Sequence, residues 1–223
     1  MSGTEGWDWD LALQRMPGRW TGVAEELFPF AAEMRARGCR SVYDLGCGVG
    51  RHTVFLARQG LAVSASDISP SAIEHTRARL EQAGVDATLW RLDMRDWPFD
   101  DDCFDAVVAY NVVYHAMRDE VEAVLAGARR TLRPGGLLLI TFKSTLDSEY
   151  GKGRELAPST WAPLSGIEKD VAHYYVDENE AKRLMKNFEL LSMVHKQELP
   201  LSGESERHRA HWVIRAARPR AGV

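Results

Sequence analysis

Eight consecutive residues, Asp44-Leu45-Gly46-Cys47-Gly48-Val49-Gly50-Arg51, carry the densest chemical signal in the chain. Glycines at 46, 48 and 50 permit a tight turn and let the backbone approach a ligand closely. A helix starting just after them aims its free N–H groups at the same place. A dinucleotide fingerprint has the spacing GxGxxG, and its third glycine would fall at Arg51. The spacing here is GxGxG instead. Asp44, just ahead of the loop, disfavours a pyrophosphate and attracts a cationic ligand. Arg51 opens the helix where a cation opposes the helix dipole, which points to a ligand carboxylate beside it.

Two further strand ends add to this. Asp67 lies nineteen residues beyond Gly48, and a carboxylate there can accept from both hydroxyls of a ribose. Ile68 beside it can pack on an adenine face, and Asp93 with the backbone of Met94 can read an exocyclic amine. A fourth strand end reads Tyr110-Asn111-Val112-Val113-Tyr114-His115, which offers His115 as a base or substrate contact with Asn111 and Tyr114 beside it.

The elements that position these groups alternate. Val42 to Leu45 ends a short buried strand, and 51–59 reads as a helix stopped by Gly60. Strands follow near 61–66, 87–92 and 104–109. Ser69-Pro70 supplies an N-cap and a first-turn proline for a helix reaching Gly84. Asp119 opens a helix with Val121, Val124, Leu125, Ala128 and Leu132 on one stripe, ended by Arg133-Pro134-Gly135-Gly136. Leu137 to Phe142 is uninterrupted apolar sequence, as a strand covered on both faces requires. Residues 144–176 show little periodicity and read as a long loop, of the kind that is functional or disordered. Asp177 then caps a helix, and strands near 189–197 and 210–216 form a hairpin around Pro200 and Gly203. The first 40 residues read as helical and irregular, with a kink or restart at Pro29. The pattern implies an α/β fold, a mostly parallel sheet with helices on both faces and an antiparallel finish.

Together these motifs resemble the class I S-adenosylmethionine-dependent methyltransferases. The matching segments are Val42 to Gly50, Asp67, Asp93-Met94, Phe104 to Ala109 and Leu132 to Gly136, within a region of about 40 to 216. The resemblance implies a Rossmann-like seven-stranded sheet with an antiparallel C-terminal strand and S-adenosyl-L-methionine as cofactor. Asp44, Leu45, Gly46, Cys47, Gly48, Gly50 and Arg51 are expected at its methionine part, with Tyr110 nearby. Asp67 and Ile68 are expected at the ribose and adenine, and Asp93 and Met94 at the adenine. It further implies residues 1–40 as an N-terminal helical cap, 41–216 as the methyltransferase domain with 144–176 as a substrate-side insertion, and 217–223 as a tail.

The fourth strand end lacks the Asn/Asp-Pro-Pro-Tyr/Phe of many amide and exocyclic-nitrogen methyltransferases, and Cys103 is not the Pro-Cys of cytosine C5 enzymes. The aromatic insertion, with Tyr150, Trp161, His173, Tyr174 and Tyr175, suits a small substrate. Trp20, with Arg19 before it, is expected to fold over the pocket, making Trp20, Tyr114, His173 and Tyr174 candidate substrate contacts. The Gly50 to Thr53 run, Lys152 to Glu155 and His173 to Tyr175 are similar to small-molecule methyltransferases of the tellurite-resistance type.

Composition agrees. Of 223 residues 45% are apolar and 27% charged, which excludes a disordered chain, and a net charge of −4 argues against a general nucleic-acid or anionic-membrane binder. No secretory leader and no run of apolar residues long enough for a membrane span is visible. Three cysteines without metal-knuckle spacing, and histidines without an HxxxH pair, give no expectation of a metal and read as reduced thiols in a cytoplasmic protein. The C-terminal arginines 207, 209, 215, 218 and 220 read as a solvated sheet edge. The expectation is methyl transfer to a small-molecule acceptor, with no nucleic acid or membrane partner and the oligomeric state open. A cofactor-binding module without turnover, an enzyme acting on RNA or protein, and a nicotinamide-dependent oxidoreductase remain as alternatives.

Overall fold

The computed structural model describes residues 9–15, 18, 20–198 and 208–220. Arg19, Pro200, Gly203 and Arg207 lie outside them, as does the end of the tail.

Alternation of apolar side chains along the central strands builds the core. In β1 (Ser41–Leu45), β4 (Phe104–Ala109) and β5 (Leu132–Ser144), Val42, Ala106, Val108, Leu137 and Leu139 face one helical layer. Tyr43, Leu45, Val107, Ala109, Leu138 and Ile140 face the other. Successive side chains of a strand point to opposite faces, so continuous apolar sequence must be covered twice. The first layer holds α2 (Leu27–Ala36) and α3 (Arg51–Arg58), and the second holds α5 (Arg118–Thr131) and α6 (Glu178–Leu184). Each fully buried leucine in such a layer contributes about 2 kcal/mol by leaving water.

Strands β2 (Ala62–Asp67) and β3 (Thr88–Arg91) extend the sheet beyond β1, and all pairings from β3 through β5 are parallel. Helix α4 (Pro70–Ala83) connects β2 to β3, with Ser69 accepting from the Ala72 N–H and Gly84 left-handed at its end. Helix α6 starts at Asp177, whose side chain accepts from the Glu180 N–H. The chain then finishes in β9 (Glu189–Glu198) and β10 (Arg209–Ala217), paired antiparallel.

Three expectations need correction. First, β10 also pairs antiparallel with β5, so it lies inside the sheet between β5 and β9 and is no edge. Two of the C-terminal arginines are engaged within the fold: Arg215 in β10 reaches Ser192 and Glu33, and Arg218 just after it pairs with Asp102 and backbone carbonyls. Second, there are more than seven strands. The order β3-β2-β1-β4-β5-β10-β9 accounts for seven, and 144–176 contributes β6 (Arg154–Ala157), β7 (Thr160–Ala162) and β8 (His173–Val176). These form an antiparallel ribbon that joins the end of β5 through Lys143–Tyr175 and Ser144–Val176. Such short strands leave no readable period. Third, Arg133 to Gly136 belong to β5 as an irregularity, because Leu132 already pairs with Phe104 before Leu137 pairs with Ala106. Two backbone bonds to Arg218 hold this bulge.

The remaining short helix, α1 (Trp9–Arg15), lies against α4, where Asp10 meets His75 at 2.7 Å. Among the described residues no helix is long and apolar enough to cross a membrane.

Candidate active site

The carboxyl ends of β1, β2, β3 and β4 converge on a cavity of about 520 Å³. Topology dictates this place, since strand order reverses between β1 and β4 and the connecting helices diverge there.

One end of the cavity is the glycine loop. Gly46, Gly48 and Gly50 all have positive φ, at 68°, 53° and 77°. Space reinforces conformation: a Cβ at Gly46 would overlap the Val112 side chain, and one at Gly48 would lie 2.7 Å from the Trp9 ring. Asp67, at the end of β2, locks the loop. Its Oδ2 accepts from the Gly48 N–H and its Oδ1 from the Ser69 N–H, both at 2.9 Å. Burial pushes the Asp67 carboxyl up in pKa, and these N–H donors hold it back. Each carboxylate oxygen retains a second lone pair for an outside donor.

Of the residues singled out in the sequence, Leu45, Gly46, Cys47, Gly48, Arg51, Asp67, Ile68, Asp93, Met94, Tyr110, Asn111, His115 and Trp20 line the cavity. Asp44 and Gly50 do not. Asp44 is buried behind the loop, where it accepts from the Thr53 hydroxyl at 2.6 Å. Burial raises its pKa to about 7. Gly50 instead packs on Thr76. Arg51 donates to the Gly22 carbonyl at 3.2 Å and stands 5.9 Å from the Tyr110 ring. Asp93 is clasped by Arg95, whose guanidinium and N–H bind it at 2.6–2.9 Å. Burial alone would raise the Asp93 pKa, but these bonds bring it below the ordinary carboxylate range.

The other end lies past β4. Asn111 adopts the left-handed region at φ 57°, with its N–H donating to the Thr141 hydroxyl and its side-chain oxygen accepting from that hydroxyl. A non-glycine residue so placed is a recurrent feature of ligand sites. His115 reaches the cavity wall with 16% of its side chain exposed, and burial lowers its pKa to about 4, so it is neutral at pH 7.

Tyr114, His173 and Tyr174 do not line the cavity. Tyr114 packs at 4.5 Å from the His115 ring and stacks near His173. The Tyr174 hydroxyl bonds Glu180 away from the cavity, because alternation along β8 turns this side chain into the core. His173 is fully buried behind His115.

Sequence reasoning missed Trp9, His52, Arg95, Glu120, Arg154 and Asp170. Arg95 and Glu120 form an ion pair across the β3 end and α5. The one available signal was Glu120 at the third position of its helix, where it accepts from the Met117 N–H at 2.8 Å. Glu168 was also missed. It lies 3.8 Å from His115 Nε2 and 3.4 Å from His173 Nε2. No spacing rule finds this group, because its members stand at 115, 168 and 173 on separate segments.

Residues 42–136 match a family model described as a methyltransferase domain. The chain is 35% identical over 99 residues to a demethylmenaquinone methyltransferase of Tropheryma whipplei, covering 44% of this chain and 40% of that protein. It thus spans less than half the length of that curated relative. Its fold is similar to that of a SAM-dependent methyltransferase from Methanosarcina mazei, with a TM-score of 0.69 at 19% identity over 81% of this chain and 92% of that one. It is also similar to TehB from Haemophilus influenzae, with a TM-score of 0.68 at 17% identity over 94% of this chain and 66% of that one.

Proposed function

We propose that this chain is a class I S-adenosylmethionine-dependent methyltransferase that transfers the methyl group of S-adenosylmethionine to a small-molecule acceptor. The observation that carries this reading is the continuity of one cavity from Gly48 and Asp67 to Asn111 and His115.

The residues fit the cofactor. The glycine loop leaves a cradle that side chains would fill, and Asp67 offers two pre-oriented acceptor oxygens to a ribose. Ile68, Leu92 and Met94 supply apolar surface for an adenine, while Asp93, fixed by Arg95, presents its remaining acceptor capacity beside them. S-adenosylmethionine held there would supply a methyl carbon on a sulfonium for transfer to an acceptor lone pair, the C–S electron pair going to the sulfur of S-adenosylhomocysteine.

Because the donor is already activated, the chain's main task is alignment. Asn111 is held in a fixed orientation by Thr141 and faces the acceptor space. His115, a neutral imidazole, orients the acceptor at the same end, and Tyr114 positions His115 from behind. Trp9 and Trp20, ring centroids 5.7 Å apart and edge to face, line the same cavity, Trp9 against Gly48 of the loop, and narrow it in a way that suits a small acceptor. The cavity lining mixes Arg51, Arg95 and Arg154 with Asp67, Asp93, Glu120 and Asp170, unlike a groove that tracks phosphates. The demethylmenaquinone relative is likewise named for a small-molecule acceptor. Three free cysteines accord with a reducing, cytoplasmic setting.

The test is release of S-adenosylhomocysteine from S-adenosylmethionine over a panel of phenols, quinols, thiols and amines, with tRNA and protein lysate fractions as separate arms. Product formation is expected in a small-molecule arm. Turnover confined to the RNA or protein arm, or none with intact cofactor binding, contradicts the reading.

A further inference from the structure

We propose that His115, Glu168 and His173 bind a divalent transition-metal ion of the zinc class, with an open coordination position turned toward the cavity. The argument begins with tautomers. His173 Nδ1 lies 3.0 Å from the Val171 carbonyl, which only accepts, so Nδ1 carries the proton. In the neutral ring His173 Nε2 then keeps its lone pair, and it lies 3.4 Å from Glu168 Oε2. His173 is wholly buried, so this close approach is out of reach of bulk water on the histidine side. The second oxygen of the same carboxylate, Oε1, lies 3.8 Å from His115 Nε2. The two imidazoles converge edge to face at 4.9 Å between centroids.

One cation placed among the three groups answers both contacts. All three donor atoms lie within 4.8 Å of one another. Tetrahedral coordination with bonds of about 2.1 Å places ligand atoms about 3.4 Å apart, close to the two measured edges. Two imidazole nitrogens and one carboxylate oxygen suit zinc and its first-row neighbours better than magnesium or calcium. The Val171 carbonyl is the outer partner that fixes a ligating histidine in its tautomer. Lys143 is directed elsewhere: its Nζ lies 4.0 Å from Asp147 and over the Tyr114 and Tyr175 rings.

His115 lines the cavity, as do Asp170, Val171 and Ala172 between the other two ligands, so the open position faces the acceptor end. A hydroxyl or thiol acceptor coordinated there loses its proton to water more readily, exposing the lone pair that attacks. That role rests on the methyltransferase reading; the binding of metal does not.

The experiment treats the full chain with chelator, then titrates it with zinc(II) against a chromophoric competitor and with cobalt(II) by visible absorption. S-adenosylmethionine is titrated on the same samples. One equivalent is expected in the wild type, with a low-symmetry cobalt spectrum. Glu168→Gln and His173→Ala should each weaken uptake by at least about 100-fold. Retained S-adenosylmethionine binding by these variants shows that they fold. If His173→Ala does not fold, His115→Ala replaces it. Cofactor binding without stoichiometric metal uptake, or uptake that Glu168→Gln leaves unchanged, overturns the site and leaves the methyltransferase reading standing. Metal uptake without cofactor binding supports the site and removes that reading instead.

Discussion

The two ends of the cavity are made in different ways. The cofactor end is built from one strand–loop–helix unit and the strand after it, with Gly48 and Asp67 joined by a backbone hydrogen bond. The proposed acceptor end has Asn111 and His115 on the cavity wall after β4, with Glu168 from the insertion and His173 from β8 behind His115. Binding a common cofactor requires a fixed local geometry, which a short motif encodes. Choosing an acceptor requires side chains that distant segments bring together, and these vary without disturbing the loop. The ends should therefore respond separately to substitution.

The largest separable effect concerns the buried carboxylate under the loop. Asp44 has a folded-state pKa of about 7 against an ordinary value of 3.8, because burial disfavours its charge. The folded chain therefore holds a proton that the unfolded chain has lost between those pH values. Its stabilising contribution is complete below about pH 4 and is lost as pH rises through about 7. The stability of wild type relative to Asp44→Asn should fall across that window, by on the order of a few kcal/mol. Denaturant melts of both proteins at several pH values measure this. A pH-independent difference would show that Asp44 is ionised throughout.

Gly46→Ala comes next. It forces a β-carbon onto Val112 at a φ of 68°, and should cost about 3 kcal/mol of stability as well as cofactor affinity. Thermal melts with and without S-adenosylmethionine would register both. A variant with unchanged affinity would break the link between loop geometry and binding.

Tyr174→Phe should cost only about 1 kcal/mol, from loss of the bond to Glu180, with cofactor affinity unchanged. Altered acceptor KM without loss of stability would restore Tyr174 as a substrate contact. Smallest of all, Glu168→Gln should change S-adenosylmethionine affinity by less than about 0.5 kcal/mol, since it touches only the acceptor end. A large change measured by calorimetry would mean that the ends are coupled.

What could be read from the sequence follows the same division. The parallel core and the glycine loop were legible because period-two burial and positive-φ glycines leave local marks, as in Leu137 to Ile140 and at 46, 48 and 50. The Ser69 and Asp177 caps were legible for the same reason. The place of β10 between β5 and β9 was not, because strand order is decided by pairings far apart in sequence. Neither was the β6–β7–β8 ribbon, whose strands are three or four residues long. Asp44 reads as a ligand contact from its position but is used by Thr53, and only packing shows which way it turns.

The most direct test of the account is a calorimetric titration of wild type and Asp67→Ala with S-adenosylmethionine, with NADH as a control ligand. Wild type should bind S-adenosylmethionine and not NADH. Asp67→Ala should bind about 100-fold more weakly, for the loss of two hydrogen bonds to a charged acceptor. Absence of binding to wild type, or equal affinity in the variant, would contradict the cofactor end as built from Gly48 and Asp67.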